Sequence, residues 1–170
     1  FTMRLAIYIS DNNHTKPTAM KKIEKISENS NHTAINIGKL SKLPEHSYMH
    51  PVSGREIEGK VFIKEVTGST GTEISFQSLP PDTELGFFHT HRKNEETYVI
   101  LSGEGDFQVD SELFPVSEGS IIRIAPKGAR SLRNNSDLPM VYMVIQSREG
   151  SLQEYSSADG ERIAKEPLWK

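Results

Sequence analysis

The sequence predicts an all-β fold, an antiparallel sandwich or barrel that occupies most of the chain after residue 54. Short β-rich runs recur at regular spacing, turn residues bound each run, and no helical pattern separates them. The runs are Lys60–Val66, Thr72–Leu79, Gly86–His91, Glu96–Leu101, Asp106–Asp110, Leu113–Val116, Ser120–Ala125, Ser131–Asn134 and Met140–Gln146. Parallel strands need long crossover connections, so these short separators indicate antiparallel pairing.

The N-terminal third of the chain carries weaker patterns. Ala19–Glu28 has apolar residues on one stripe, which predicts a short helix, and Thr33–Ile37 predicts a short strand. Leu43–Gly54 is rich in prolines and polar residues and is interpreted as a loop. We therefore expect its two histidines, His46 and His50, to be exposed.

These elements predict three parts. Residues 1–54 form a mostly irregular N-terminal extension, whose residues 1–19 are a candidate appendage because the chain starts with Phe1 rather than Met. Residues 55–150 form the β barrel, and residues 151–170 form a polar C-terminal tail. We find no internal repeat, so the sequence predicts one barrel.

Composition excludes several classes of protein. The 170 residues suffice for one domain with a hydrophobic core. The net charge of −3 is not the basic surplus of a nucleic-acid or anionic-membrane binder. The chain has no cysteine, so any metal must be held by nitrogen and oxygen atoms. No run approaches the ~20 apolar residues that span a bilayer, and we expect a cytoplasmic protein.

The run from His89 to Gly103 is the most informative part of the sequence. Residues two apart on a strand point to the same side of the sheet, which places the imidazoles of His89 and His91 together. A carboxylate, Glu96, follows after a short bend. Two imidazoles and one carboxylate leave coordination positions open, as in a working transition-metal site.

This run resembles the first motif of the cupin superfamily, His-x-His-x(3,4)-Glu-x6-Gly, which is matched by His89, His91, Glu96 and Gly103. The second cupin motif, Gly-x5-Pro-x-Gly-x2-His-x3-Asn, resembles the segment Gly119–Asn135. The resemblance covers about residues 55–147 and implies a jelly-roll barrel.

The second motif departs from the family pattern at two places. One extra residue precedes Pro126, and Ser131 stands where the family has its fourth metal ligand, a histidine. The resemblance therefore implies that His89, His91 and Glu96 bind a divalent transition metal (iron, nickel, cobalt, manganese or zinc). Since the family tolerates both spacings, Glu95 is the rival carboxylate, although the six-residue gap to Gly103 favours Glu96.

Four residues are candidates for substrate binding: Arg130, Ser131, Arg133 and Tyr98. If Ser131 points inward, where it would orient a metal-bound water, Arg133 does too. If the extra residue shifts the register, Arg130 takes the inward place. A guanidinium at that place would clamp a carboxylate or phosphate, whereas arginines on the outer face would make surface ion pairs. Tyr98 would present its hydroxyl to a ligand.

We therefore expect a small metal-binding cupin that acts on or binds a small polar or acidic organic molecule. The alternatives are a non-enzymatic cupin that binds or senses a ligand or a metal, and a metal-free cupin similar to sugar isomerases. An enzyme of this kind would be a dioxygenase, an isomerase or a decarboxylase-like protein, and the sequence assigns no catalytic residue. The resemblance also implies a homodimer.

Overall fold

The computed structural model describes residues 22–157 and 159–169, which form thirteen strands and two short helical segments. The strands, numbered along the chain, are β1 (Glu24–Asn29), β2 (His32–Asn36), β3 (Ser47–Met49), β4 (Glu56–Glu58), β5 (Lys60–Phe62), β6 (Thr72–Leu79), β7 (Thr83–Glu84), β8 (Asn94–Ser102), β9 (Glu104–Val109), β10 (Glu112–Ser117), β11 (Ile121–Ile124), β12 (Arg130–Asn134) and β13 (Met140–Arg148). The helical segments are a 3₁₀ helix, Leu40–Glu45, and α1, Lys64–Thr67. Neither is long and apolar enough to cross a membrane.

Two antiparallel sheets form the body of the fold. One has five strands in the order β11-β8-β13-β6-β5, and the other has four in the order β10-β9-β12-β7. Two separate hairpins, β1-β2 and β3-β4, precede them. The predicted all-β jelly-roll fold is confirmed.

The hydrophobic core lies between the two sheets. Phe107 and Leu132 of the four-stranded sheet pack in one cluster with Tyr98, Ile100 and Tyr142 of the five-stranded sheet, and all five are buried. Along β8 and β12, buried and more exposed residues alternate because successive side chains point to opposite faces. Full burial of such a side chain contributes roughly 1.5–3 kcal/mol.

The helix predicted for Ala19–Glu28 is wrong where the structure describes it, because Glu24–Asn29 is a strand. The first residues of that prediction lie outside the described ranges. The side chain of Asn29 accepts hydrogen bonds from the backbone N–H groups of Asn31 (2.8 Å) and His32 (3.2 Å), which closes a turn into β2. Pairing of β1 with β2 then outweighs a weak helical pattern.

Two predicted strands differ from the structure by more than a shift of one or two residues at their ends. Lys60–Val66 is a strand only as far as Phe62, since α1 follows. This helix ends at Thr67, and the residue that caps it, Gly68, has a φ of +68° in the left-handed region. Gly86–His91 is not a strand. Gly86 has a φ of +71°, which interrupts the extended chain, and the only pairing in this segment is an isolated bridge between His89 and Arg130.

The prediction that His46 is exposed is wrong. The residue is 5% exposed, and its Nε2 atom lies 3.0 Å from the carbonyl oxygen of Ile37. Leu43, in the 3₁₀ helix just before His46, is fully buried in a small cluster with Val61 and Val141. This packing brings His46 inward.

Candidate metal centre

Backbone hydrogen bonds hold the His89–His91 segment against the second motif. The N–H of His89 donates to the carbonyl of Arg130 (3.4 Å), and the N–H of Arg130 donates back to the carbonyl of His89 (3.2 Å). The N–H of His91 donates to the carbonyl of Pro126 (2.8 Å). The two motifs are therefore adjacent in space, and Glu96 reaches the same place from β8.

The three predicted metal ligands converge. One ligand atom each from His89, His91 and Glu96 lie within 4.8 Å of one another. His91 Nε2 is 2.9 Å from Glu96 Oε1, and His89 Nε2 is 3.9 Å from Glu96 Oε2. The two imidazole rings are nearly perpendicular, with centroids 5.5 Å apart. These three residues are called the triad below.

Glu95, the rival carboxylate, has a different partner. Its Oε2 accepts a hydrogen bond from Arg123 Nε (2.8 Å), and Arg123 also contacts Glu149. This cluster is exposed. Alternation along β8 thus separates Glu95 from Glu96 as the sequence indicated.

Arg130 is the inward-facing arginine of the second motif. It is 1% exposed, and its Nε and Nη2 atoms donate to Glu96 Oε2 at 3.1 and 2.6 Å. Its Nη1 atom donates to the backbone carbonyls of His89 (3.3 Å) and Gly128 (3.2 Å). Of the two registers that the sequence left open, the structure has the one that places Arg130 inside.

Ser131 and Arg133 do not join the triad. Arg133 is exposed and pairs with Asp106 through Nε (2.9 Å) and Nη2 (2.7 Å). Both residues line a surface depression together with Phe87 and Phe88.

Tyr98 contacts the triad directly. Its hydroxyl donates to Glu96 Oε2 at 2.9 Å, and the ring is 4% exposed. Burial, together with the negative charge of Glu96, raises the pKa of Tyr98, so the phenol stays protonated and remains a donor.

The protonation states of His89 and Glu96 suit a metal. Burial and the positive charge of Arg130 lower the pKa of His89 to about 4, so this imidazole is neutral at pH 7. Burial raises the pKa of Glu96, but hydrogen bonds from Arg130 and His91 outweigh it and leave the pKa below its ordinary value. A metal binds neutral imidazoles and ionised carboxylates, which are the states of His89 and Glu96 at pH 7.

The donor set also fits a divalent transition metal. His89 Nδ1 is buried and has no hydrogen-bond partner among the described residues. Burial of a polar ring nitrogen without a partner costs free energy, so this atom calls for an explanation. Two imidazoles and one carboxylate are ligands that iron, nickel, cobalt, manganese and zinc accept.

Gln146 is a contact of the triad that the sequence did not suggest. Its Nε2 atom lies 3.1 Å from His91 Nε2 and 3.3 Å from His91 Nδ1. The sequence contains a signal for this contact. Gln146 follows Tyr142 and Val144 at two-residue steps, so it is the polar end of a row of β13 side chains that point inward.

His89 predicts a pH dependence of the metal-free protein. Its pKa of about 4 lies below the 6.5 of an unperturbed histidine, so the unfolded chain binds more protons between these values. Stability from this group is therefore complete above pH 6.5 and is lost as the pH falls towards 4. Urea unfolding in a chelator should show this loss. The slope should be smaller in His89→Gln, and an unchanged slope would contradict the assignment.

Comparisons with known proteins identify the family. The family model described as the cupin domain matches residues 75–146. A crystal structure of a cupin protein from Bacteroides fragilis is 37% identical, covers 62% of this chain and 89% of its own, and superposes with a TM-score of 0.60. The chain therefore belongs to the cupin superfamily.

Two further relatives are less informative than the Bacteroides fragilis protein. An uncharacterized protein of Methanocaldococcus jannaschii is 33% identical over 64 residues, which are 38% of this chain, and the chain spans about half the length of that protein (51%). An uncharacterized protein with a double-stranded β-helix domain from Klebsiella pneumoniae is 16% identical and has a TM-score of 0.51. The match covers 68% of this chain and 91% of the Klebsiella pneumoniae protein, and at that identity it supports the fold alone.

Proposed function

We propose that this cupin binds a divalent transition metal through His89, His91 and Glu96 and holds a small polar or acidic organic molecule beside it. The observation that carries the proposal is the convergence of three ligand atoms within 4.8 Å, with His89 neutral and Glu96 ionised as a metal requires. A bound ion would supply Lewis acidity to an oxygen atom of that molecule or activate oxygen.

The pairing of Arg130 with Glu96 is an argument for an anionic ligand. Its guanidinium is paired with the carboxylate of Glu96, so the two charges cancel, and His89 is neutral. A divalent ion would therefore bring a charge that these residues leave uncompensated. An anionic molecule in the open coordination positions would balance that charge, because uncompensated charges in a buried site are costly.

The test is the metal content of protein prepared without a metal-affinity tag. We expect close to one ion per chain by elemental mass spectrometry, and its loss in the double variant His89→Ala/His91→Ala. The matched control is His32→Ala/His50→Ala, which removes two histidines outside the triad and should keep the ion. A metal-free wild-type protein, or a triad variant that keeps its metal, would overturn the proposal.

A metal-free cupin is the second candidate, and the Arg130–Glu96 pair favours it. The guanidinium already supplies a positive charge to the carboxylate at 2.6 Å. In this reading the protein binds a small molecule without metal, either as a sensing module or as a cupin similar to sugar isomerases. Chelator separates the two candidates, since it lowers the melting temperature of a metal-loaded protein and leaves a metal-free one unchanged.

Turnover, location and assembly also belong to the proposal. If the site is catalytic, dioxygenase, isomerase and decarboxylase-like reactions are the classes that an open metal site in this fold supports. The cytoplasmic location, the homodimer and the absence of nucleic-acid and membrane binding stay predictions from the sequence.

A further inference from the structure

A cavity of about 680 Å³ opens beside the triad, at the edge of the five-stranded sheet where β5 lies. Its lining includes His46, Tyr48, Lys60, Phe62, Gln146 and Arg148. This volume is in the usual range for pockets that hold small molecules, about 300–1,000 Å³. Gln146 both lines the cavity and contacts His91, so the cavity and the triad adjoin at this side chain.

Lys60 and Glu96 lie on the same face of the sheet. Lys60 pairs with Gln77 of β6, and Gln77 pairs with Tyr142 of β13, which places these three residues in one row across the strands. Two steps of two residues along β13 lead from Tyr142 to Gln146, which pairs with Glu96 of β8. Steps of two keep side chains on one face, so Lys60 belongs to the same interior surface as the triad.

Lys60 has no anionic partner among the residues that the structure describes. Its Nζ atom donates to the neutral Gln77 Oε1 at 3.1 Å and lies 4.9 Å from the ring centroid of Phe62. The salt bridges in the described part of the chain do not include it. Burial lowers the pKa of Lys60, which the more distant charge of Glu96 partly offsets. A half-buried cation of this kind gains from an anion placed beside it.

The other charged groups of the cavity are more exposed or already engaged. Lys64, Glu65 and Arg148 are exposed to solvent. Glu73 Oε1 accepts a hydrogen bond from the backbone N–H of Lys64 at 2.9 Å. Lys60 is therefore the lysine held away from water, where a charged hydrogen bond is strongest.

We propose that the cavity binds a small organic oxyanion, a carboxylate or a phosphate, whose charged group pairs with Lys60 while its other end extends past Gln146 towards the triad. This assignment rests on the proposed function, because it names the ligand class of the same site. Tyr48 and Phe62, whose ring centroids are 4.6 Å apart, form an apolar wall for the carbon skeleton. Lys60 is thus a residue that determines ligand specificity.

The experiment compares anions with neutral counterparts by isothermal titration calorimetry. The probes are succinate against succinamide, for a carboxylate, and glucose 6-phosphate against glucose, for a phosphate. At least one anion should bind at least ~10-fold more tightly than its neutral counterpart, since a hydrogen bond to a charged group contributes roughly tenfold or more to affinity. Lys60→Gln and Lys60→Met should weaken the binding of this anion by ~10-fold or more and leave the binding of its neutral counterpart unchanged.

The matched control is Lys42→Gln, which removes the same charge from an exposed lysine outside the cavity. It should preserve the preference for the anion. The proposal fails if neither anion is preferred by the wild-type protein, or if the Lys60 variants, shown to be folded by circular dichroism, keep the preference.

The metal content of the same samples separates this inference from the proposed function. Lys60→Gln is expected to keep the metal while its preference for the anion falls. A wild-type protein that binds no metal but still prefers an anion through Lys60 would overturn the metal site alone. A metal-loaded protein whose ligand binding does not depend on Lys60 would overturn this inference alone.

Discussion

Replacing Glu96 with alanine is expected to lower the free energy of unfolding of the metal-free protein by about 3–5 kcal/mol. The substitution leaves Arg130, which is 1% exposed, without the one carboxylate partner that it has among the described residues. A guanidinium does not lose its proton at accessible pH, so the buried charge remains. Tyr98 loses its hydrogen-bond acceptor as well. Urea unfolding in the presence of a chelator measures the change.

Two further variants test whether charge pairing is the cause. In Glu96→Leu/Arg130→Met both charges are replaced by apolar side chains, and most of the lost stability should return. Glu95→Ala removes a carboxylate from the exposed Arg123 cluster and should cost less than about 1 kcal/mol. Equal losses in Glu96→Ala and Glu95→Ala would contradict this account.

Replacing Arg130 with histidine should strengthen metal binding at least ~10-fold. Arg130, rather than Ser131, is the residue of the second motif that points inward beside the triad, and its guanidinium contacts the carboxylate of Glu96. The substitution removes a positive charge close to the ion and supplies an imidazole. At about 4 Å and an effective dielectric constant of about 20, one pair of like charges costs ~4 kcal/mol, so a tenfold gain is a conservative expectation.

Arg130→Gln separates the two contributions, because it removes the charge without adding an imidazole. Competition with a metallochromic chelator should rank affinity as Arg130→His, then Arg130→Gln, then the wild-type protein. Wild-type affinity equal to or above that of both variants would show that Arg130 does not oppose the ion. The metal-free Arg130 variants should also be less stable, since Glu96 then lacks its cation.

The sequence predicted the fold well where strand patterns are strong. Thr72–Leu79 is a strand with the predicted bounds, and Glu96–Leu101 lies within β8. The helix predicted from the weak apolar stripe before residue 29 was wrong, because the periodicity does not show the turn that the side chain of Asn29 closes or the pairing with β2. Local pattern decides an element only where no tertiary contact competes with it.

The triad was also predictable, since three residues in one short run carry it. The role of Arg130 was not, because a one-residue insertion before Pro126 left two registers that differ in which side chains point inward. Burial of Asn134, whose side-chain amide donates to the backbone carbonyls of Leu79, Pro80 and Leu138, marks the register that the protein adopts.

The place of the cavity in the chain bears on how such proteins diverge. Most of the residues that line it, including Tyr48, Lys60 and Phe62, precede residue 75, where the match to the cupin domain begins. The triad and Arg130 lie inside that match. Substitutions before residue 75 can therefore change the lining of the cavity while the triad stays the same. Two cupins that share the barrel motifs can thus differ in the ligands that they bind.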